Sequence, residues 1–210
     1  MENKILNTNQ IKKIVKRIAY QIHENNLECS EIVLIGVYKN GYVLAEIIEK
    51  ELKQISKSNI EIIFIKINKE NPLDKIELDC KKEYLKNKSI VLIDDVLHSG
   101  RTLIYCVKYL LDMTPENFNT VVLIDRNHKK FPIKVDFKGI SLSTSMSDHV
   151  EVIFEKNDYW NKIPPSLLNR LMNRLSVSIK FEDYLNEDYD IIKTINGYTL
   201  KLMTKTLPLT

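Results

Sequence analysis

From Asn7 to Glu24 the apolar residues Ile11, Ile14, Val15, Ile18, Ala19 and Ile22 recur at steps of three and four, which predicts an amphipathic helix. Asn7 followed three residues later by Gln10 supplies a capping box at its start. A second helical pattern runs through Leu44, Ile47, Ile48, Leu52 and Ile55, and a third covers Thr102 to Leu111. Between these lie four runs of nearly unbroken apolar character: Glu31–Ile35 (EIVLI), Glu61–Ile67 (EIIFIKI), Ser89–Ile93 (SIVLI) and Thr120–Ile124 (TVVLI). Strands that are apolar on both sides and alternate with helices predict an α/β protein, a parallel sheet covered by helices on both faces. To about residue 125, after the first helix, the order is β-α-β-β-α-β, with Lys69–Asn87 as a charged connection of little periodicity. Ile133, Val135 and Phe137 alternate with polar neighbours, as does His149–Phe154, and both predict more exposed strands.

The pattern changes after Asp158. Pro164 and Pro165 precede a helical stretch (SLLNRLMNRL), and Asn196-Gly197 sits between IIKTI and YTLKLM, a strong hairpin signal. The chain thus divides into a domain of residues 1–158 and a C-terminal appendage of helix and β-hairpin at 159–210 with no evident role. Composition narrows the class without deciding it. Of 210 residues, 44% are hydrophobic and 28% charged, a soluble globular mix that excludes disorder. Apolar runs reach only about six residues, far short of the roughly 20 of a membrane span, and MENKILNTNQ lacks a secretory h-region. A net charge of +3 is too mild to announce nucleic-acid binding. Cys29, Cys80 and Cys106 have no close pairing, which fits reduced packing thiols in a cytoplasmic protein.

In an open parallel sheet, ligands bind beyond the carboxyl ends of the strands. The richest such end is VLIDDVLHSGRT, Val91 to Thr102. A buried strand delivers Asp94 and Asp95, then Ser99, Gly100 and Thr102 open a helix. Its first turn offers unpaired N–H groups and a positive dipole end, Gly100 permits close backbone approach, and the two hydroxyls add donors: a cradle for a phosphate dianion. The carboxylates upstream suit sugar hydroxyls or a hydrated Mg²⁺. Together these describe a ribose 5-phosphate site. An acidic pair at a strand end is common, and Ser-Gly-x-Thr alone is weak; the ordered string is far more specific than its parts. The P-loop pattern is absent, and a receiver domain would carry its acidic pair near the first strand.

The same string resembles the phosphoribosyl-diphosphate (PRPP) signature of type I phosphoribosyltransferases, most closely the pyrimidine operon regulator / uracil phosphoribosyltransferase family. KRIAYQI (16–22), GVYKNG (36–41), LIDRNHKKFPIKVDFKG (123–139) and STSMSDHVEV (143–152) agree with that family in order and spacing, so the resemblance covers roughly residues 5–155. It implies the type I phosphoribosyltransferase fold and Mg²⁺-dependent transfer of phosphoribose from PRPP to a nucleobase, uracil first. Asp94 and Asp95 would hold the ribose hydroxyls, with Mg²⁺ bridging these and the diphosphate. Ser99, Gly100, Arg101 and Thr102 would hold the 5-phosphate, and the turn from Gly36 to Gly41 the diphosphate. A homo-oligomer, a dimer in the first instance, is expected.

The departures bear on the same sites. Where the family's diphosphate turn carries Thr-Arg, this chain has Lys39 and Asn40; Lys39 reads as a diphosphate contact or as a solvated lysine. The arginine of the flexible hood has no direct counterpart, and Lys66 or Lys69 stands in that region. His98 replaces a tyrosine of the regulators and an aspartate of purine-using relatives; it is able to manage a base proton, or is a loop residue without that role. Arg126 and His128 read as base-side or RNA contacts, or as partners of Asp125 or Asp136. Lys12, Lys13, Lys16 and Arg17 form a polar helix face that the resemblance offers to RNA and that ordinarily is just solvated; Tyr20, where the regulators have histidine, weighs against RNA. Two readings stand beside the uracil enzyme: a non-catalytic, nucleotide-sensing RNA-binding regulator, and a purine phosphoribosyltransferase.

Overall fold

The computed structural model describes residues 5–126, 129–143, 150 and 152, and the backbone of two short strands at 190–192 and 199–201. Packing divides the chain into two units, residues 1–154 and 155–210.

The first unit opens with helix α1 (Thr8–Asn25). Asn7 Oδ1 accepts from the Gln10 backbone N–H at 3.0 Å while Gln10 Oε1 accepts from that of Asn7 at 2.8 Å, so the capping box closes in both directions. There follow β1 (Glu31–Val37), α2 (Asn40–Ile55), β2 (Asn59–Lys66), β3 (Glu77–Leu78), a 3₁₀ turn at Lys82–Leu85, β4 (Ser89–Leu97), α3 (Arg101–Leu111), β5 (Asn117–Arg126) and β6 (Phe137–Leu142). The six strands form one sheet in the order β3-β2-β1-β4-β5-β6, parallel except for β3, which runs antiparallel along β2.

Alternation along each strand sends its side chains to two cores. Ile32 and Leu34 of β1, Val91 and Ile93 of β4, and Val121 and Leu123 of β5 pack under α1 and α2. Their neighbours Val33, Ile35, Ile90, Leu92 and Val122 pack under Leu103, Cys106 and Leu110 of α3. Both faces are covered, which is why these strands read as unbroken apolar runs. Right-handed crossovers place α2 and α3 on opposite faces because the chain moves outward from β1 in one direction and from β4 in the other. The reversal of strand order therefore falls between β1 and β4, and their carboxyl ends frame a crevice there. At the other end of the sheet the buried Asn26 side chain donates to Ile22 O at 2.7 Å and accepts from Asn117 at 3.0 Å and from the Ser89 hydroxyl, tying α1 to the starts of β4 and β5.

Two sequence expectations shift. Ile133 and Val135 precede β6 without forming a strand, and the ladder begins only at Phe137, the first residue of β6. Ile133 packs on the α3-side core and Val135 is buried, while Asp136 Oδ2 accepts from the backbone N–H and hydroxyl of Thr120 at 2.8 and 2.9 Å. Alternate burial thus arises here without a strand ladder over 133–136. The charged connection contains the short β3 and the 3₁₀ turn, whose Leu85 is fully buried. In the second unit, β7 (Asp190–Ile192) pairs antiparallel with β8 (Thr199–Lys201), Ile192 opposite Thr199. Asn196-Gly197, the helix expected after Pro165 and most of the strand expected at 149–154 lie outside the described residues.

Candidate active site

The two loops that flank the crevice are in backbone contact. Gly41, in the first turn of α2, faces the end of β4 so closely that a Cβ there would lie 2.6 Å from Ile93 O and 3.0 Å from Asp94 Cα. Only glycine lets the β1–α2 turn approach β4 in this way. The peptide between Tyr38 and Lys39 is cis, and Lys39 is exposed at the head of the helix. Asn40 reaches across the crevice. Its Nδ2 donates to Asp95 Oδ2 at 2.8 Å and to Val152 O at 3.0 Å.

The acidic pair is asymmetric. Asp94 is 5% exposed and Asp95 half-buried. Burial, then the adjacent Asp95 charge, pushes the Asp94 carboxyl up to about 8, with the Lys69 ammonium opposing the shift. Asp94 Oδ1 accepts from the Asp95 N–H at 3.0 Å, and Asp95 Oδ1 from the Val96 N–H at 2.9 Å, so the backbone orients both carboxyls. Lys66, the alternative hood cation, is paired with Glu77 at 3.2 Å across β2 and β3; the field of Lys69 is the one that reaches Asp94. Cys106 beneath the pair is pushed up to about 12 by burial and then by Asp94, which makes it a neutral packing thiol.

Five residues beyond Asp95, Gly100 turns the chain into α3 with φ at 83°, a left-handed conformation. A Cβ there would also meet Ile133 Cγ2 at 2.6 Å. Gly100, at the cap position, has no side chain to occupy this helix start, so the N–H groups beyond that of Arg101 are presented to an anion. Ser99 Oγ accepts from the Arg101 N–H at 3.3 Å, and Ser99 O accepts from the Lys130 and Phe131 N–H groups at 2.9 and 3.1 Å. The loop after β5 therefore fixes the loop after β4. Thr102 is half-buried and Arg101 exposed on the same turn.

At the next strand end, Arg126 is 2% exposed and its Nη1 lies 2.6 Å from Nδ1 of the exposed His98. Asp125 takes Lys129 and Lys138, each at 3.1 Å, and Asp136 takes Thr120. His128 lies outside the described residues. Arg17 of the basic α1 face donates to the carbonyls of Lys138 and Gly139 at 3.1 and 2.7 Å, holding β6. The fold thus brings Asp94, Asp95 and Gly41 together, sets Ser99–Thr102 beside them, and pairs His98 with Arg126. Sequence reading missed the Asn40 clamp on Asp95 and the hold of residues 130–131 on Ser99; a polar residue opposite the acidic pair in a glycine-flanked turn was the available signal for the first. A separate groove of about 640 Å³, lined by Gln21, Glu24, Asn25 and Lys134–Phe137, lies toward the amino end of β6, away from these loops.

Residues 1–156 match the phosphoribosyl transferase domain family, and the chain belongs to it. It is a PRPP-using phosphoribosyltransferase of the type I fold. Among its relatives, the "Bifunctional protein PyrR" of Clostridium botulinum (strain Eklund 17B) is 30% identical over 169 residues, 75% of this chain and 92% of that one. The protein of the same name from Pediococcus pentosaceus is 32% identical over 168 residues, 75% and 95% of the two chains. A hypoxanthine phosphoribosyltransferase from Trypanosoma cruzi shares the fold with a TM-score of 0.60 at 18% identity, over 67% of this chain and 82% of that one. No helix among the described residues is long and apolar enough to cross a membrane.

Proposed function

We propose that this chain transfers phosphoribose from PRPP to uracil, yielding the nucleoside monophosphate and diphosphate. The observation that carries the reading is the juxtaposition at the β1/β4 crevice: an acidic pair oriented by backbone N–H groups, beside a helix start opened by Gly100, whose cap position carries no side chain. The α3 N–H groups with the Ser99 and Thr102 hydroxyls bind the 5-phosphate. Asp94 and Asp95 take the ribose hydroxyls, Asn40 keeping Asp95 in place, and the Lys39–Gly41 turn receives the diphosphate. As the bond from the anomeric carbon to diphosphate breaks and the base nitrogen bonds to that carbon, these groups hold the sugar in line and stabilise departing charge.

Mg²⁺ fits this donor set. Two adjacent carboxylates are hard oxygen donors, and among the described residues no cluster of three or more ligating side chains would hold a cation alone. Asp94 and Asp95 would therefore share the ion with PRPP oxygens, where it neutralises charge on the leaving diphosphate. Uracil follows from the relatives at 30% identity or above, which bear the regulator family's name; the hypoxanthine enzymes, at 18–23% identity, speak to the fold alone. The word "bifunctional" in those relatives' name favours a second role; RNA binding is the candidate, with Lys12, Lys13, Lys16 and Arg17 of α1 as exposed cations. The test is diphosphate release from PRPP with uracil, hypoxanthine, guanine and xanthine offered separately. Uracil alone should support rapid release; a purine in its place overturns the assignment, and no release with any base points to the non-catalytic regulator.

A further inference from the structure

The contact between Arg126 and His98 constrains chemistry as well as position. A guanidinium carries five N–H donors, no acceptor, and stays charged in proteins. At 2.6 Å its Nη1 is hydrogen-bonded to His98 Nδ1, which requires that Nδ1 offer a lone pair. An imidazolium, or a neutral ring with hydrogen on Nδ1, would set two donors head to head. The pair joins two strand ends: Leu97, just before His98, lies opposite Asp125, just before Arg126.

We infer that Arg126 is a positioning residue that locks His98 as the neutral imidazole with hydrogen on Nε2, so that His98 orients the nucleobase as a hydrogen-bond donor and exchanges no proton with it. A fixed N–H donor matches a ring carbonyl of the base; a proton-transfer histidine would have to change state in each turnover. The tautomer follows from the contact alone, while its use on the base rests on the proposed function.

Imidazole ¹⁵N spectra of the ligand-free protein test the first part, with the His98 signals among the four histidines identified by their loss in His98→Gln. Nδ1 should appear unprotonated and Nε2 protonated from pH 8 to about 6, through the range where an ordinary histidine, pKa about 6.5, gains its second proton. Hydrogen on Nδ1, or an imidazolium at pH 6, overturns the lock. Because Arg126 is buried, its replacement is not needed for this reading. For the second part, His98→Gln keeps a donor near Nε2 and should retain kcat, with KM for the base within about threefold of the parent. His98→Ala should raise that KM about tenfold or more, the loss of one hydrogen bond, and leave KM for PRPP unchanged. A loss of kcat in His98→Gln as deep as in His98→Ala would make the ring a proton carrier and overturn the orienting role. A locked tautomer in a protein inactive with every base would reject the proposed function and leave the lock standing.

Discussion

Asp94→Asn should make the ligand-free protein more stable while removing its activity. The Asp94 carboxyl is buried beside Asp95, and its pKa is about 8 in place of the usual 3.8. Such a group binds a proton in the folded protein that the unfolded chain has already released. Its effect on stability is therefore favourable only at low pH: stability falls as pH rises from about 4 to about 8, then levels off. With about 1.4 kcal/mol per pKa unit, the 3.2 units between 3.8 and pH 7 amount to about 4 kcal/mol. Asparagine stays neutral throughout, and its Oδ1 can still accept the Asp95 N–H that now sits at 3.0 Å. At roughly 2–4 °C per kcal/mol for a chain of this size, and with relaxation taking part of the effect, Tm should rise by about 5–10 °C at pH 7. The assay is thermal melting of both proteins at pH 5, 7 and 8.5, without PRPP and with chelator. The gap should be smallest at pH 5 and largest at pH 8.5. A gap that does not change with pH, or a variant less stable than the parent at pH 8.5, refutes the reasoning.

Ser99→Ala and Thr102→Ala should each weaken PRPP binding about 10- to 100-fold by calorimetry, since a hydrogen bond to a charged phosphate contributes about 1.5–3 kcal/mol, with melting unchanged. Gly41→Ala should destabilise the domain by about 1–3 kcal/mol and disturb PRPP binding, because its Cβ would meet Ile93 O at 2.6 Å and backbone must yield; chemical denaturation reads the first effect. A chain ended after Asp158 should still bind PRPP, as the named site residues all lie in residues 1–154, and loss of binding in a folded truncation would show that the appendage contributes to the site.

Much of the fold was legible because its strands are buried on both sides. Runs such as SIVLI, set between helical patterns, fit a strand covered on both faces, and the helix over 8–25 declared both its face and its cap. The segment at 133–136 misled for a physical reason: Val135 is buried and Asp136 hydrogen-bonds Thr120, so alternate burial arose from loop packing, and the ladder starts only at Phe137. The acidic pair and phosphate loop were legible as one contiguous string, since their spacing is local. What joins distant positions was not. Asn40 meets Asp95 across 55 positions, Arg126 meets His98 across 28, and the backbone of residues 130–131 holds Ser99. Such contacts depend on strand order, which hydrophobic periodicity does not encode. The choice between Lys66 and Lys69 likewise awaited the pairing of Lys66 with Glu77.

The central claim is that the β4–α3 loop seats PRPP, and diffraction from crystals grown with PRPP and Mg²⁺ tests it directly. The account predicts the 5-phosphate on the N–H groups and hydroxyls of Ser99–Thr102, with the ribose hydroxyls at Asp94 and Asp95 and the diphosphate over Lys39–Gly41. PRPP bound elsewhere, such as in the groove between α1 and Lys134–Phe137, with the Ser99–Thr102 turn empty, would contradict it.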